Sequence, residues 1–269
     1  MYEKFWELDT LPFENTPDPN VFLESEQHRE ALARLLYMVQ ERQAGGVLTS
    51  VYGCGKTLIL RRLRMELAPK GYRFSIVNNP RLNDLDMLRM ILHGFGGASV
   101  PTQKADVLMS LESLFTETAR DGKHSVVIID EAHDIDDLSI LEELRLLLNY
   151  QGEKHGMVSL LLVGQPELAA KIENNKQLNQ RLRMKTQLEP LSMDETVQYI
   201  AFRLAYANAK ANYFSPENME TVGKCSNRIP RWINNICHMT LMNAFLRNTR
   251  VIDNNLIWET SESFGNQLT

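Results

Sequence analysis

The sequence predicts an α/β fold, in which a five-stranded parallel sheet flanked by helices is followed by a small all-helical C-terminal domain. Up to about residue 190, short apolar runs alternate with longer amphipathic stretches, as in repeated β-α units. Several runs are apolar almost throughout, which is typical of strands buried on both faces of a parallel sheet. Beyond residue 190 only helix signals remain. We therefore expect a sheet domain at residues 1–190, with an aromatic and proline-containing N-terminal segment at 1–24, and a helical domain at residues 191–269.

Five strands are predicted along the sheet domain. They are Val47–Thr49, Arg73–Val77, Ser125–Ile129, Ser159–Val163 and Lys185–Leu188. The stretches before and between them carry apolar residues at steps of three and four, which places those residues on one face of a helix. The predicted helices are Ser25–Gln43, Lys56–Glu66, Asp84–Leu92, Gln103–Ala119 and Ser139–Asn149. Because parallel neighbours need crossover connections, we expect these helices to cover the sheet.

Four helix starts are predicted in the C-terminal domain. Ser192-Met193-Asp194-Glu195 has a capping residue followed by an acidic first turn, and Ser215-Pro216-Glu217 has proline at a first helical position. Pro230 and Asp253 indicate two further starts. These signals predict a small helical domain without strands.

The composition narrows the class of protein. A net charge of −5 gives no global basic field, so any contact with DNA would need a local patch. The three cysteines, Cys54, Cys225 and Cys237, have no CxxC spacing, which argues against a disulfide framework and a zinc site. The N-terminus lacks the pattern of a signal peptide, and no apolar run approaches the roughly 18 to 20 residues that span a bilayer. We expect a cytoplasmic protein that does not insert into a membrane.

A phosphate-binding loop is predicted between the first strand and the helix after it. Its residues are Ser50, Val51, Tyr52, Gly53, Cys54, Gly55, Lys56, Thr57 and Leu58. In the pattern G-x-x-x-x-G-K-[ST], the glycines let backbone N–H groups converge on phosphates, the lysine neutralises the phosphates, and the hydroxyl coordinates Mg²⁺. The segment therefore predicts that ATP and Mg²⁺ bind here. Ser50 replaces the first glycine, from which we expect altered affinity and not loss of the site.

Two other interpretations of this loop remain open at this stage. The segment around Gly53 and Gly55 is also compatible with an ordinary loop that precedes a helix. Cys54 is compatible with a redox-sensitive thiol, because a helix N-terminus lowers the pKa of a thiol, or with a passive small residue.

An acidic pair follows the third predicted strand. Asp130 and Glu131 come directly after the apolar run that ends at Ile129. Because strand ends of an α/β sheet face the ligand crevice, we expect Asp130 to hold Mg²⁺ and Glu131 to polarise the water that attacks the γ-phosphate. Acids at the end of a strand also serve as solubilising groups, and that alternative stays open here.

Two polar residues extend this predicted site. His133 completes the letters D-E-A-H known from helicases, but the chain is too short for two tandem motor domains, so we interpret His133 as a surface or second-shell residue. Gln165 follows the fourth predicted strand, which places it beside the acidic pair in a parallel sheet and predicts a sensor of the γ-phosphate. The alternative is that Gln165 only caps the helix begun by Pro166.

The chain resembles AAA+ ATPases of the general secretion pathway A type, often called ExeA-like, along nearly its whole length. These are P-loop NTPases with a helical lid. The resemblance is carried by the phosphate loop, the acidic pair and these segments: Tyr2-Glu3-Lys4-Phe5, Pro12-Phe13, Thr16-Pro17-Asp18-Pro19, His28 to Tyr37, Glu143 to Asn149 and Gly164-Gln165-Pro166-Glu167-Leu168. Such proteins usually have glycine where Ser50 stands and often a longer chain.

The resemblance implies two functional arginines. Gln180-Arg181-Leu182-Arg183 matches the stretch that presents an arginine finger to the nucleotide of an adjacent subunit, which implies Arg181 as the finger and Arg183 as the reserve. Ile229-Pro230-Arg231-Trp232 matches the start of the lid helix that carries a second sensor, Arg231. A finger supplied in trans makes hydrolysis depend on a nucleotide-dependent homo-oligomer, a ring or a filament. Either arginine is also compatible with an ordinary surface charge.

Three functional hypotheses follow. The first is a cytoplasmic assembly or regulatory ATPase of a bacterial secretion or type IV pilus system, which would need a protein partner. The second is a transposition regulator of the TniB or TnsC type, whose DNA contacts would include the basic clusters Arg61-Arg62-Leu63-Arg64 and Arg181-Leu182-Arg183-Met184-Lys185. The third, motivated by Ser50, is a nucleotide switch with little turnover. An intact Glu131 argues against the third.

Overall fold

A computed structural model of the chain describes residues 2–16, 23–97, 100–152 and 155–265. These residues form two compact units. The first, here called the sheet unit, comprises Gln27–Tyr52 and Ile59–Leu188. The second, the helical unit, comprises Met1–Glu26, Gly53–Leu58 and Glu189–Thr269. Of the segments quoted for the family resemblance, Pro17-Asp18-Pro19 lies outside the described residues.

The sheet has five strands, all parallel, in the order β2-β3-β4-β1-β5. Their bounds are β1 Gly45–Ser50, β2 Arg73–Val77, β3 Ser125–Ile129, β4 Val158–Gly164 and β5 Leu182–Leu188. Every residue of β1, β3 and β4 is buried, whereas the edge strands β2 and β5 are partly exposed. This confirms the predicted five-stranded parallel sheet, because strands covered on both faces need apolar side chains on both.

The strand register gives the sheet two chemically different edges. Thr49 pairs with Gly164, and Ile129 pairs with Leu162, so that β1, β3 and β4 end together. We call this the carboxyl edge, and the edge where the strands begin, at Gly45 and Leu182, the amino edge. In parallel sheets ligands bind at the carboxyl edge, beside the loops that leave the strands.

Within the described ranges, seven α-helices accompany the sheet. They are α1 Glu26–Gln40, α2 Lys56–Leu67, α3 Asp84–Gly94, α4 Lys104–Arg120, α5 Leu138–Leu147, α6 Glu167–Asn174 and α7 Lys176–Arg181. The first five match the predicted helices within a few residues at each end. Helices α6 and α7 were not predicted, because eight and six residues make too few turns for a clear periodic pattern.

Four helices form the C-terminal part of the helical unit. They are α8 Met193–Tyr206, α9 Pro216–Cys225, α10 Pro230–Leu246 and α11 Asn254–Glu262. Their starts confirm the predicted ones. Ser192 and Ser215 each form a reciprocal capping box, and the side chain of Asp253 accepts a hydrogen bond from the Leu256 N–H. No helix within the described ranges is both long and apolar enough to cross a bilayer.

The N-terminal segment belongs to the helical unit. Trp6 is fully buried there and donates from Nε1 to the Leu241 carbonyl oxygen at 3.0 Å. The buried guanidinium of Arg203 in α8 donates to the carbonyl oxygens of Pro12 and Glu14. This differs from the predicted domain at residues 1–190, which kept the segment with the sheet. The reason is that its aromatic side chains complete the core between α8 and α11.

A buried histidine in the sheet unit should make stability depend on pH. His124 lies just before β3, is 1% exposed, and its Nε2 is 2.8 Å from Ser159 Oγ. Burial, assisted by the charges of Arg42 and His155, lowers the pKa of His124 from 6.5 to about 4. The unfolded chain therefore takes up this proton more readily than the folded one, and the contribution of His124 to stability is complete above pH 6.5 and lost as pH falls towards 4.

We expect the wild type to lose about 2 kcal/mol of unfolding free energy through His124 between pH 7 and pH 5. The variant His124→Gln lacks the titrating group and should lose correspondingly less, although it is less stable at pH 7. Urea unfolding at both pH values measures this difference. His93→Ala, which replaces an exposed histidine, serves as the control and should follow the wild type. Parallel pH profiles for wild type and His124→Gln would refute the assignment.

Candidate functional site

The phosphate loop connects the end of β1 to the start of α2. Gly53 and Gly55 adopt φ angles of 94° and 103°, a left-handed conformation that disfavours other residues. Ser50, by contrast, is the last residue of β1 and has no positive φ. The backbone conformation therefore requires glycine at positions 53 and 55. At position 50 it does not, so Ser50 introduces no left-handed strain.

The described geometry of the loop fits a phosphate group. Lys56, at the first position of α2, is only 7% exposed. The loop and the first turn of α2 carry the backbone N–H groups that a helix N-terminus offers to anions. A Cβ on Gly53 would lie 2.8 Å from Arg231 Cβ and 3.0 Å from Ile229 Cγ2, so a larger residue does not fit there.

Arg231 lies beside this loop. It is the second residue of α10, and its backbone N–H donates to the Gly53 carbonyl oxygen at 3.4 Å. Burial lowers the pKa of the Arg231 guanidinium from its usual value, but a guanidinium remains protonated at neutral pH. Arg231 therefore lies beside the phosphate loop, and its role as a second sensor stays a prediction.

Cys54 does not have the properties of a redox thiol. It is 1% exposed, and burial raises the pKa of its thiol to about 11, with Lys56 lowering and Glu189 raising that pKa. Almost no thiolate is present at neutral pH, and the thiolate is the reactive form. Of the two interpretations left open, the geometry favours the passive small residue.

The acidic pair stands at the carboxyl edge of the sheet. The Asp130 N–H donates to the Val77 carbonyl oxygen at 2.8 Å, which continues the ladder between β3 and β2, and Asp130 Oδ1 accepts from the Glu131 N–H at 2.9 Å. Glu131 has a φ of 51°, which is unusual for a residue other than glycine. Its Oε2 is buried and has no hydrogen-bond partner among the described residues.

Gln165 follows β4, the strand between β3 and β1, and thus shares this edge with the acidic pair. Its backbone N–H donates to His133 Nδ1 at 3.3 Å, and its Nε2 lies 3.0 Å from His133 Nε2. The Gln165 side chain does not cap α6, whose N-terminal cap is Pro166 without any side-chain bond. His133 is 14% exposed at its side chain and lies between Gln165 and Glu131.

One further residue, which the sequence did not indicate, belongs to this cluster. Lys171, in α6, donates from Nζ to the carbonyl oxygens of His133 and Ile135, at 2.6 and 2.5 Å. It therefore holds the turn that follows the acidic pair. No sequence signal pointed to it, because 36 to 38 residues separate the lysine from its partners.

Arg181 lies at the opposite edge of the sheet. It ends α7 just before β5, and its guanidinium donates to the Leu148 carbonyl oxygen at 3.1 Å and to Asn149 Oδ1 at 2.7 Å. It lines a cleft of about 400 Å³ together with Arg42 and Arg183, and the described lining residues include no acid. The seven residues of β5 span roughly 20 Å. Arg181 is thus far from the acidic pair of its own sheet.

The two residues predicted to hold Mg²⁺ each carry an oxygen atom of the kind that this ion prefers. No group of three or more His, Cys, Asp or Glu residues within the described ranges forms an all-protein metal cage. Mg²⁺ in nucleotide sites needs none, because one or two protein ligands and the phosphates hold it. Thr57, in the first turn of α2, and Asp130, at the end of β3, are oxygen ligands of the kind it prefers.

Comparison with known sequences is consistent with this geometry. A family described as "AAA domain" matches residues 39–172. The chain is 35% identical over 258 residues to "General secretion pathway protein A" of Aeromonas hydrophila. That match covers 94% of this chain and 46% of the relative, so the chain spans about half the length of that protein.

Solved structures share the fold at low sequence identity. The ORC2 protein of Aeropyrum pernix, in its ADPNP-ADP complexes, has a TM-score of 0.70 and 16% identity, covering 96% of this chain and 72% of its own. Drosophila ORC bound to DNA has a TM-score of 0.72 and 14% identity, covering 94% and 64%. The solved structures show that this chain has the P-loop NTPase fold. The matched AAA domain and the 35% identical relative show that it belongs to the AAA+ ExeA-like family.

Proposed function

We propose that this protein binds ATP with Mg²⁺ and hydrolyses it, and that it does so as an assembled homo-oligomer. The observation that carries the proposal is the phosphate loop, in which a buried Lys56 follows two glycines of positive φ at the start of α2. A buried lysine at a helix N-terminus is matched to the negative charge of nucleotide phosphates.

In this mechanism the loop N–H groups and Lys56 bind the phosphates, and Thr57 and Asp130 hold the metal ion. Mg²⁺, when bound, neutralises charge on the phosphate oxygens. Glu131 accepts a proton from the attacking water, whose oxygen bonds to the γ-phosphorus while the bond to the β-γ bridging oxygen breaks. The Gln165 side chain contacts the γ-phosphate as a sensor. Arg231, from the start of α10, adds positive charge near the phosphates.

Arg181 acts in trans under this proposal. At the amino edge it cannot reach the acidic pair of its own sheet, whereas a neighbouring copy that presents its carboxyl edge to the arginine-lined cleft would receive it. Arginine supplied to a phosphoryl-transfer site stabilises the charge of the transition state through bidentate bonds. Hydrolysis then depends on assembly, with each copy completing the site of the next.

The biological role we favour is an assembly or regulatory ATPase of a bacterial secretion or type IV pilus system, in the cytoplasm. The relationship to General secretion pathway protein A supports it. The alternative is an ATP-dependent, DNA-binding transposition regulator of the TniB or TnsC type. The specific observation in favour of the alternative is the cleft lined by Arg42, Arg181 and Arg183, which suits a phosphate backbone.

ATP hydrolysis measured against protein concentration, with and without double-stranded DNA, tests the proposal. We expect turnover per chain to rise steeply with concentration, and Lys56→Ala to abolish both nucleotide binding and turnover. Lys70→Ala, which removes an exposed lysine after α2, is the matched control and should behave as wild type. Stimulation by DNA would favour the transposition alternative. Nucleotide binding without turnover would instead indicate a switch.

A further inference from the structure

One histidine ring touches both residues that we place closest to the reacting phosphate. His133 Nδ1 lies 3.5 Å from Glu131 Oε2 and 3.3 Å from the backbone N of Gln165. On the other side of the ring, Nε2 lies 3.0 Å from Nε2 of the Gln165 amide. The side chains of Glu131 and Gln165 are therefore linked through a single imidazole.

The chemistry of a neutral imidazole makes these contacts mutually exclusive. Such a ring has one nitrogen that donates and one that accepts. When Nε2 accepts from the Gln165 amide, the proton is on Nδ1, which faces Glu131 Oε2. When Nδ1 accepts from the Gln165 backbone N–H, the proton is on Nε2, and Glu131 Oε2 is offered no donor. The orientation of the Gln165 amide thus determines whether an N–H group of the ring faces Glu131 Oε2.

The surroundings hold the ring in place. Lys171 fixes the backbone of the turn through two carbonyl oxygens. Gly164 leaves room for the imidazole, since a Cβ there would lie 3.1 Å from both His133 N and Nδ1. Glu131 itself has a strained φ of 51°, a feature that persists where surrounding contacts enforce it. Asp134 is a further charged group near the ring, with its Oδ1 3.9 Å from Nε2.

We propose that His133 is a positioning residue that transmits the orientation of the Gln165 amide to the Glu131 carboxylate. The proposal rests on the proposed function, in which Glu131 activates water and Gln165 meets the γ-phosphate. While the amide donates to Nε2, the Nδ1 proton faces Glu131 Oε2 across 3.5 Å, too far for a hydrogen bond, and attracts the carboxylate electrostatically towards the ring. When the amide turns to the γ-phosphate, the ring proton exchanges through solvent to Nε2, beside Asp134, and the carboxylate is released to accept the proton of water.

A double-mutant cycle on ATP hydrolysis by the full chain tests the proposal. We expect His133→Ala to lower kcat about tenfold with KM for ATP within about twofold, since the contact acts on the water-activating group and not on nucleotide binding. Gln165→Ala should lower kcat at least as much. Because both act through one ring, the double variant should be no worse than Gln165→Ala alone. His93→Ala, at an exposed histidine, is the control and should match wild type.

The outcomes separate the inference from the function on which it rests. If the decreases in kcat of the two single variants multiply in the double variant, His133 and Gln165 act independently and the proposed role of His133 is wrong. The same holds if His133→Ala hydrolyses ATP as fast as the wild type. In both cases ATP hydrolysis by the protein itself still stands. A wild type without turnover, indistinguishable from Glu131→Gln, would overturn the proposed function and the inference with it. If His133→Ala fails to fold, His133→Asn enters the same cycle, because its amide reaches the position of Nδ1 and not that of Nε2.

Discussion

Replacing Glu131 by Gln is expected to slow ATP hydrolysis about 100-fold or more while ATP remains bound. The amide keeps the size and shape of the side chain but cannot accept the proton of the attacking water, and a general base contributes roughly 10² to 10⁴ in rate. The phosphate loop, which supplies the affinity, is untouched. Single-turnover hydrolysis and binding of a fluorescent ATP analogue measure the two effects separately.

The matched control for this variant is Glu112→Gln, at an exposed position of α4. It removes the same charge from the same protein and should leave turnover unchanged. An assembly trapped with ATP is the second expected property of Glu131→Gln, because ATP-bound copies no longer convert to the ADP state. Wild-type turnover in Glu131→Gln would remove this residue from the mechanism.

Replacing Arg181 by Ala is expected to reduce the turnover of the assembled protein by about 10³, the scale of an arginine supplied to a phosphoryl-transfer site. Nucleotide binding by the dilute monomer should not change, because Arg181 lies at the amino edge, away from its own acidic pair. Turnover and binding measured across the concentration at which the protein assembles test both statements. Arg120→Ala, at an exposed arginine that ends α4, controls for loss of charge.

A mixing experiment separates a trans role of Arg181 from a structural one. Arg181 also bonds Leu148 and Asn149 of its own chain, so the single variant alone is ambiguous. In a mixture, an Arg181→Ala copy retains Glu131 and can receive the arginine of a Glu131→Gln neighbour. We therefore expect the mixture to regain turnover that neither variant has alone. A mixture as inactive as its components would show that Arg181 does not act between copies. If turnover is regained when Arg183→Ala, and not Arg181→Ala, is mixed with Glu131→Gln, then Arg183 is the arginine that acts between copies.

The local parts of the site were predictable from the sequence, and the contacts between them were not. The phosphate loop and the acidic pair each occupy a few consecutive residues, so both motifs can be recognised without knowing the fold. The contact between His133 and Gln165 joins residues 32 positions apart, and Lys171 reaches 36 to 38 positions back. No residue next to His133 along the chain indicates these partners, so the sequence did not predict the contacts of its ring.

By itself, the sequence determined the five strands, the helix starts at Ser192, Ser215, Pro230 and Asp253, and the loop that ends in Lys56 and Thr57. Hydrophobic periodicity, capping and glycine conformation act over a few residues, so the chain carries these signals locally. Only the tertiary structure decided that β4 lies between β3 and β1 and that Arg181 lies at the amino edge, opposite the acidic pair. It also decided that the N-terminal aromatic segment packs with helices α8 to α11. Those features depend on which distant apolar faces bury one another, and the pattern along a single chain does not record that choice.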